Sequence, residues 1–305
     1  MNRFVRAAAS LTAALTTLGG LAACSPAKLL NVLVPKDGYQ RLADIPYNST
    51  ERHRLDIYRP DGDTGVSRPV LVFFYGGSWK SGSRELYRFV GEALASAGYV
   101  VVVPDYRLYP SVQFPAFVED AALAIRWVEE HIGAYGGDSR RVVLAGHSAG
   151  AHLAALLLLD PRYLAGAGTD RTQLCGFIGL AGPYAFDPGT YRSTRPIFAT
   201  AADSRETKPV SFADADAPPM LLLHGAADGT VKPINSLTLA QRRRDVGGKA
   251  DYISYPDLGH IGIVLSLAAP FRGRDAVYAD VLRFLERVTA SCPVDVPAAL
   301  SAVSG

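Results

Sequence analysis

Short apolar runs recur along the chain at residues 69–75 (P-V-L-V-F-F-Y), 99–103, 142–145, 175–180, 220–223 and 252–255, after an alternating stretch at 55–58. Runs that are apolar at successive positions predict strands buried on both faces, as in a parallel sheet. Between them the spacing turns helical. Phe89, Val90, Ala93, Leu94 and Ala97 share one helical face and stop at Gly98, a predicted C-cap, and Phe117, Ala121, Ala124, Ile125 and Val128 repeat the pattern. Leu153, Leu156 and Leu157, then Leu237, then Leu282 and Leu285 mark three later helices. This alternation predicts an α/β fold with a mostly parallel central sheet and helices on both faces.

The pattern lapses from residue 182 to about 218, in a segment rich in Pro, Thr, Ser, Asp and Ala between two predicted strands. An irregular segment so long is usually a functional loop or lid. It is expected over the carboxyl ends of the strands, where α/β sheets bind ligands.

Composition and charge exclude some classes. The 305 residues are 49% hydrophobic and 20% charged, with a formal net charge of +2. That balance suits a globular enzyme and gives no electrostatic footprint for nucleic acid. At the N-terminus, Arg3 and Arg6 precede an apolar, small-residue run at 7–23 that ends Leu21-Ala22-Ala23-Cys24. Such a run describes an export signal and not a span, since it holds poorly in ~30 Å of hydrocarbon. The L-A-A-C sequence resembles a bacterial lipobox, which implies that Cys24 is lipidated; the alternative is an ordinary cleaved signal. The expected division is a signal peptide at 1–23, a tether at 24–38, one domain at 39–292 and a tail at 293–305. The other two cysteines, Cys175 and Cys292, either pair in an oxidising compartment or remain separate buried thiols.

The chemistry centres on Gly146-His147-Ser148-Ala149-Gly150, which follows the 142–145 strand and opens a helix around Ala151. In that context G-x-S-x-G reads as a nucleophile elbow, with small residues at Gly146 and Gly150 sparing the neighbouring chain a clash. A serine needs a base. The chain order of this fold is Ser, then Asp or Glu, then His. Of the histidines after Ser148, His152 lies one turn along the same helix and His224 precedes any suitable acid, so elimination selects His260. The acid is Asp228, on the loop leaving the 220–223 strand and hence at the sheet end that holds Ser148. Asp257 shares the loop of His260 beside Pro256 and reads as a turn former. Asp245 and Asp251 flank a connection at the wrong end. Backbone N–H groups of Gly77, Ser78 and Ala149 are assigned to an oxyanion hole, the first two from Tyr75-Gly76-Gly77-Ser78-Trp79 after the early strand.

With these residues placed, the chain resembles α/β-hydrolase esterases, especially the kynurenine-formamidase-like and feruloyl or acetyl-xylan-esterase-like branches. The likeness runs from about Leu55 to Leu285 and rests on the Gly76-Gly77-Ser78-Trp79 loop, Asp105-Tyr106-Arg107-Leu108, Phe114-Pro115-Ala116 and Asp120. Tyr75 stands where those families usually carry a loop-supporting histidine. The resemblance implies a hydrolase with no metal and no cofactor, acting on a small-molecule ester, while the lipobox-like L-A-A-C separately implies that Cys24 holds it at a membrane. Two-step acyl transfer by Ser148, His260 and Asp228 is the expected mechanism. A formamidase or other amidase would use the same machinery. A prolyl-oligopeptidase-type peptidase is disfavoured because no propeller-sized domain precedes the hydrolase, and a non-catalytic binding lipoprotein is disfavoured by the triad order.

Overall fold

The computed structural model describes residues 31–62 and 65–292; the expected signal peptide, with Cys24, and the tail at 293–305 lie outside them. The described residues form one eight-stranded sheet. Its strands are β1 (Tyr39–Pro46), β2 (Arg54–Pro60), β3 (Arg68–Phe74), β4 (Val100–Pro104), β5 (Gly137–His147), β6 (Leu174–Leu180), β7 (Met220–Gly225) and β8 (Ala250–Tyr255). They lie in the order β1-β2-β4-β3-β5-β6-β7-β8. Pairing is parallel from β4 through β8, while β1–β2 and β2–β4 are antiparallel. The apolar runs read from the sequence are the central strands: β4 and β6 are buried at every position.

Between the strands run α1 (Arg88–Ala95), α2 (Ala116–His131), α3 (Ala149–Leu159), α4 (Pro161–Gly166) and α5 (Ile234–Asp245), followed by α6 (Gly262–Leu265) and α7 (Val277–Ala290). The connection through α1 steps one way along the sheet and those through α2, α3 and α5 step the other way. Right-handed crossovers therefore put them on opposite faces. The last helix joins α1: the Tyr278 hydroxyl, in α7, donates to the Ala93 carbonyl at 3.0 Å.

Three details differ from the sequence reading. β1 carries little apolar signal because only Tyr39 of its eight residues is buried, as an edge strand allows. The expected tether is docked at its end, where Val34 is buried and the Asn31 side chain donates to the Glu85 carbonyl. Leu237 lies on the exposed side of α5, and the buried leucine of that helix is Leu239.

The cysteine pairing left open by the sequence is resolved in favour of a bond: Cys175, at the start of β6, is joined to Cys292, just past α7, with Cα atoms 5.3 Å apart. The bond spans a separation of 117 residues, for which chain entropy sets a stabilisation of up to ~5 kcal/mol. Cys175→Ser is expected to lower Tm by roughly 5–15 °C in thermal unfolding. Turnover at low temperature should persist, because the catalytic end of β6 is the opposite one. A Tm within a degree or two of wild type would contradict this.

Candidate active site

β3 and β5 are neighbours whose outward connections leave in opposite directions, with Phe74 in register with Gly146. That is the point in an open α/β sheet where loops from two strands part and leave a crevice. Meeting there are the loop 75–79 after β3 and the sharp turn at Ser148 between β5 and α3. Ser148 sits between β5 and α3 with φ 55° and ψ −122°, a conformation that costs a non-glycine residue of order 1–3 kcal/mol. Its amide donates to Leu180 O of β6 at 2.9 Å and its carbonyl accepts from His152 N at 3.1 Å. Packing around the turn demands glycine: a Cβ on Gly150 would lie 2.1 Å from Phe74 O, and one on Gly146 would lie 2.6 Å from Ala151 N.

His260 lies on the loop after β8 with Nε2 2.9 Å from Ser148 Oγ and Nδ1 2.8 Å from Asp228 Oδ2. Nδ1–H must donate to the carboxylate, which leaves Nε2 as an acceptor for the serine proton. Asp228 is buried on the loop after β7, and its Oδ1 accepts from Thr230 N at 2.8 Å and Val231 N at 2.9 Å. Burial opposes its charge, but the hydrogen bonds from His260 and the two amides outweigh burial and hold the carboxyl below the usual range. The competing acids stand elsewhere. Asp257 and Asp245 are exposed, and Asp251 is exposed in an ion pair with Arg287.

Two histidines to which the sequence reading gave no role support this geometry. His147, inside the elbow motif, donates Nε2–H to the backbone carbonyl of His260 at 2.9 Å, and the two rings are 4.9 Å apart. Burial first, then the nearby His260, pushes its pKa down to about 3, so it tethers the histidine loop without charge. His224 donates Nε2–H to Val231 O at 2.9 Å, lies 3.2 Å from Asp228 Oδ2, and accepts at Nδ1 from Ser236 at 2.7 Å. It fixes the loop that carries Asp228. The only sequence signal was position, one residue before the serine and four before the acid.

The amides of Gly77 and Ser78 have no hydrogen-bond acceptor among the described residues, and Ala149 N–H is the unpaired first amide of α3. Gly77 has φ 138° and its carbonyl takes the amides of Lys80 and Ser81, both at 3.0 Å. Tyr75 roots the loop. Its hydroxyl donates to Asp105 Oδ1 at 2.6 Å and accepts from Arg52 at 2.8 Å, its ring stacks on Tyr106 at 4.8 Å, and its carbonyl accepts the Tyr106 hydroxyl. Arg84 clamps the other Asp105 oxygen. A tyrosine–aspartate–arginine set thus roots this loop.

A cavity of about 390 Å³ opens beside Ser148, walled by Ser78, Trp79, Phe186, Tyr191, Thr194 and Val231 among others. The 182–218 insertion supplies much of that wall. It folds into turns at Pro188–Thr190, Ser204–Thr207 and Pro209–Phe212 and is clamped to the body. His152 donates Nε2–H to Thr207 O at 2.7 Å, and Phe198 packs edge-on against Trp79 with centroids 4.9 Å apart.

The chain is similar to known proteins in sequence and in fold. Residues 117–292 match the prolyl oligopeptidase family, and residues 55–163 match the family designated BD-FAE. The chain is 32% identical over 263 residues to the isoprenylcysteine alpha-carbonyl methylesterase of Arabidopsis thaliana, covering 78% of this chain and 60% of that protein. It is 30% identical over 239 residues to esterase LipC of Mycobacterium tuberculosis, covering 71% and 58%. The chain therefore spans about 60% of the length of such curated relatives. Apo esterase 2 of Thermogutta terrifontis superposes with TM-score 0.68 at 26% identity, covering 83% of this chain and 96% of that one. Esterase B from Lactobacillus rhamnosis gives TM-score 0.77 at 20% identity over 93% and 96%, a likeness of fold. The larger family match takes in more than half of the chain, with the nucleophile elbow and the loops bearing Asp228 and His260 inside it: the chain belongs to the prolyl oligopeptidase family, in the α/β-hydrolase fold.

Proposed function

We propose that this protein is a serine carboxylesterase acting on small or short-chain acyl esters. The observation that carries the proposal is the continuous Ser148–His260–Asp228 chain, with hydrogen bonds of 2.9 and 2.8 Å, at an elbow facing a cavity. His260 Nε2 takes the proton of Ser148 as Oγ attacks the ester carbonyl carbon, and Asp228 holds the ring in the required tautomer. The oxyanion is received by the amides of Gly77, Ser78 and Ala149. Collapse expels the alcohol, which leaves with the proton from His260, and the acyl group stays on Ser148. Water then adds, giving up its proton to His260, and the acid departs as Ser148 recovers its hydrogen.

Short acyl groups suit a cavity near the small end of the ~300–1,000 Å³ range of ligand sites. Relatives named as esterases support the ester assignment, and Thermogutta terrifontis esterase 2 has been seen with butyrate and with propionate bound. In a para-nitrophenyl series, kcat/KM should peak at acetate to butyrate. Faster turnover of long-chain triglyceride emulsions would reject the reading. N-formylkynurenine as the better substrate would favour the amidase branch.

The second element of the proposal is location. Arg3, Arg6 and Leu21-Ala22-Ala23-Cys24 support a lipoprotein exported and anchored through Cys24, and the Cys175–Cys292 bond fits an oxidising compartment. Wild-type activity is expected in the membrane fraction with lipid mass on Cys24, and Cys24→Ala should move it to the soluble fraction. Wild-type protein wholly soluble and without lipid mass would exclude the anchor.

A further inference from the structure

We infer that this site selects esters bearing an anionic group, with a carboxylate as the simplest case, and that Lys232 is the specificity-determining residue that receives it. The inference rests on the esterase reading. Lys232 is the only charged side chain among the residues lining the cavity beside Ser148, the rest being apolar, aromatic or neutral polar. Its exposed side chain has no hydrogen-bond or ion-pair partner among the described residues. Its backbone, by contrast, is fixed: the Lys232 carbonyl accepts both the amide and the side-chain amide of Asn235, each at 3.0 Å. A free cation on an anchored backbone, at the mouth of a reaction site, is placed to meet charge arriving with the substrate.

The surrounding charges point the same way. Of residues 191–195 in the insertion, Tyr191, Ser193 and Thr194 line the cavity, while Arg192 and Arg195 are exposed beside them and Lys80 donates from Nζ to Ser193 O. The carboxylates in the same loops are already engaged. Asp228 has both oxygens taken by His260, Thr230 and Val231, and Asp187 is held by Lys208 at 2.7 Å. The mouth therefore offers positive charge with no competing exposed acid on these segments, an arrangement that concentrates anionic substrates. The cavity also carries the stacked set Trp79, Phe186 and Tyr191, with centroids 6.5 and 5.1 Å apart. That uncharged surface takes the apolar or planar body of a substrate and leaves its anion to Lys232.

Full-length wild type, Lys232→Gln and Lys232→Glu would be assayed on two matched pairs of esters at low ionic strength. One pair places the carboxylate on the alcohol side: para-acetoxybenzoate against its neutral methyl ester. The other places it on the acyl side: the para-nitrophenyl monoester of adipic acid against para-nitrophenyl hexanoate. For at least one pair the anionic-to-neutral ratio of kcat/KM should fall about tenfold in Lys232→Glu and by less in Lys232→Gln. About 0.5 M salt should lower the wild-type ratio as well. The ratio is the readout because it cancels any general loss from the substitution. The affected pair shows which side of the ester faces Lys232. Ratios unchanged within twofold for both pairs, with the neutral esters turned over, would overturn the inference alone. No turnover of any of the four esters by wild type would remove the esterase reading and this inference with it.

Discussion

Ser148→Ala is expected to lower kcat by about 10⁴-fold or more, with the folded state unchanged. Among the described residues the hydroxyl is the only side-chain group hydrogen-bonded to His260 Nε2, and its loss removes the atom placed to attack. The elbow itself is held by backbone bonds, Ser148 N to Leu180 O and His152 N to Ser148 O, and by the glycines packed around it. Alanine keeps all of these, so circular dichroism and Tm should match wild type. His260→Ala should be as damaging. The two groups act as a unit, so the double variant should be little worse than either single one. Additive losses would show that Ser148 and His260 do not share a step.

Gly77→Ala is expected to cost about 10²–10³-fold in kcat, the effect of losing an oxyanion donor. A Cβ at this position would lie 2.0 Å from Ser81 O, against backbone that cannot rotate away, and φ is 138°. The loop must move to accept the methyl group. Its movement carries the amides of Gly77 and Ser78 away from the carbonyl attacked by Ser148. The damage should fall on kcat more than on KM, since the donors matter most when the oxyanion forms. Equal loss in kcat/KM from a raised KM alone would assign the loop to substrate binding.

What the sequence made legible were features whose cause is local. The central strands show as apolar runs because both faces of a parallel sheet are covered. The elbow shows because strand, tight turn and helix start are contiguous, at 142–150. Features set by distant parts of the chain did not show. β1 is an edge strand with one buried side chain, and the polar first half of β5 at 137–141 hid its true length. His147 matters because its Nε2 faces a carbonyl 113 residues away, which no spacing encodes. His224 was weighed only as a base, whereas it acts on the Asp228 loop. Cys175 and Cys292 are brought within 5.3 Å only by the docking of α7 on the sheet. The insertion was legible as a lapse in pattern, but its aromatic wall depends on Trp79 and Phe198 meeting across the site.

The central claim, that Ser148 is the nucleophile of an acyl-enzyme mechanism, is tested most directly by covalent trapping. Wild type and Ser148→Ala would be incubated with a para-nitrophenyl alkylphosphonate, and peptide mass spectrometry would locate the adduct. The account predicts one phosphonyl group per wild-type chain, on the peptide containing Ser148, with activity lost in step with labelling and no adduct on Ser148→Ala. Complete inhibition of wild type with Ser148 unmodified, or equal labelling of the two proteins at another residue, would contradict it.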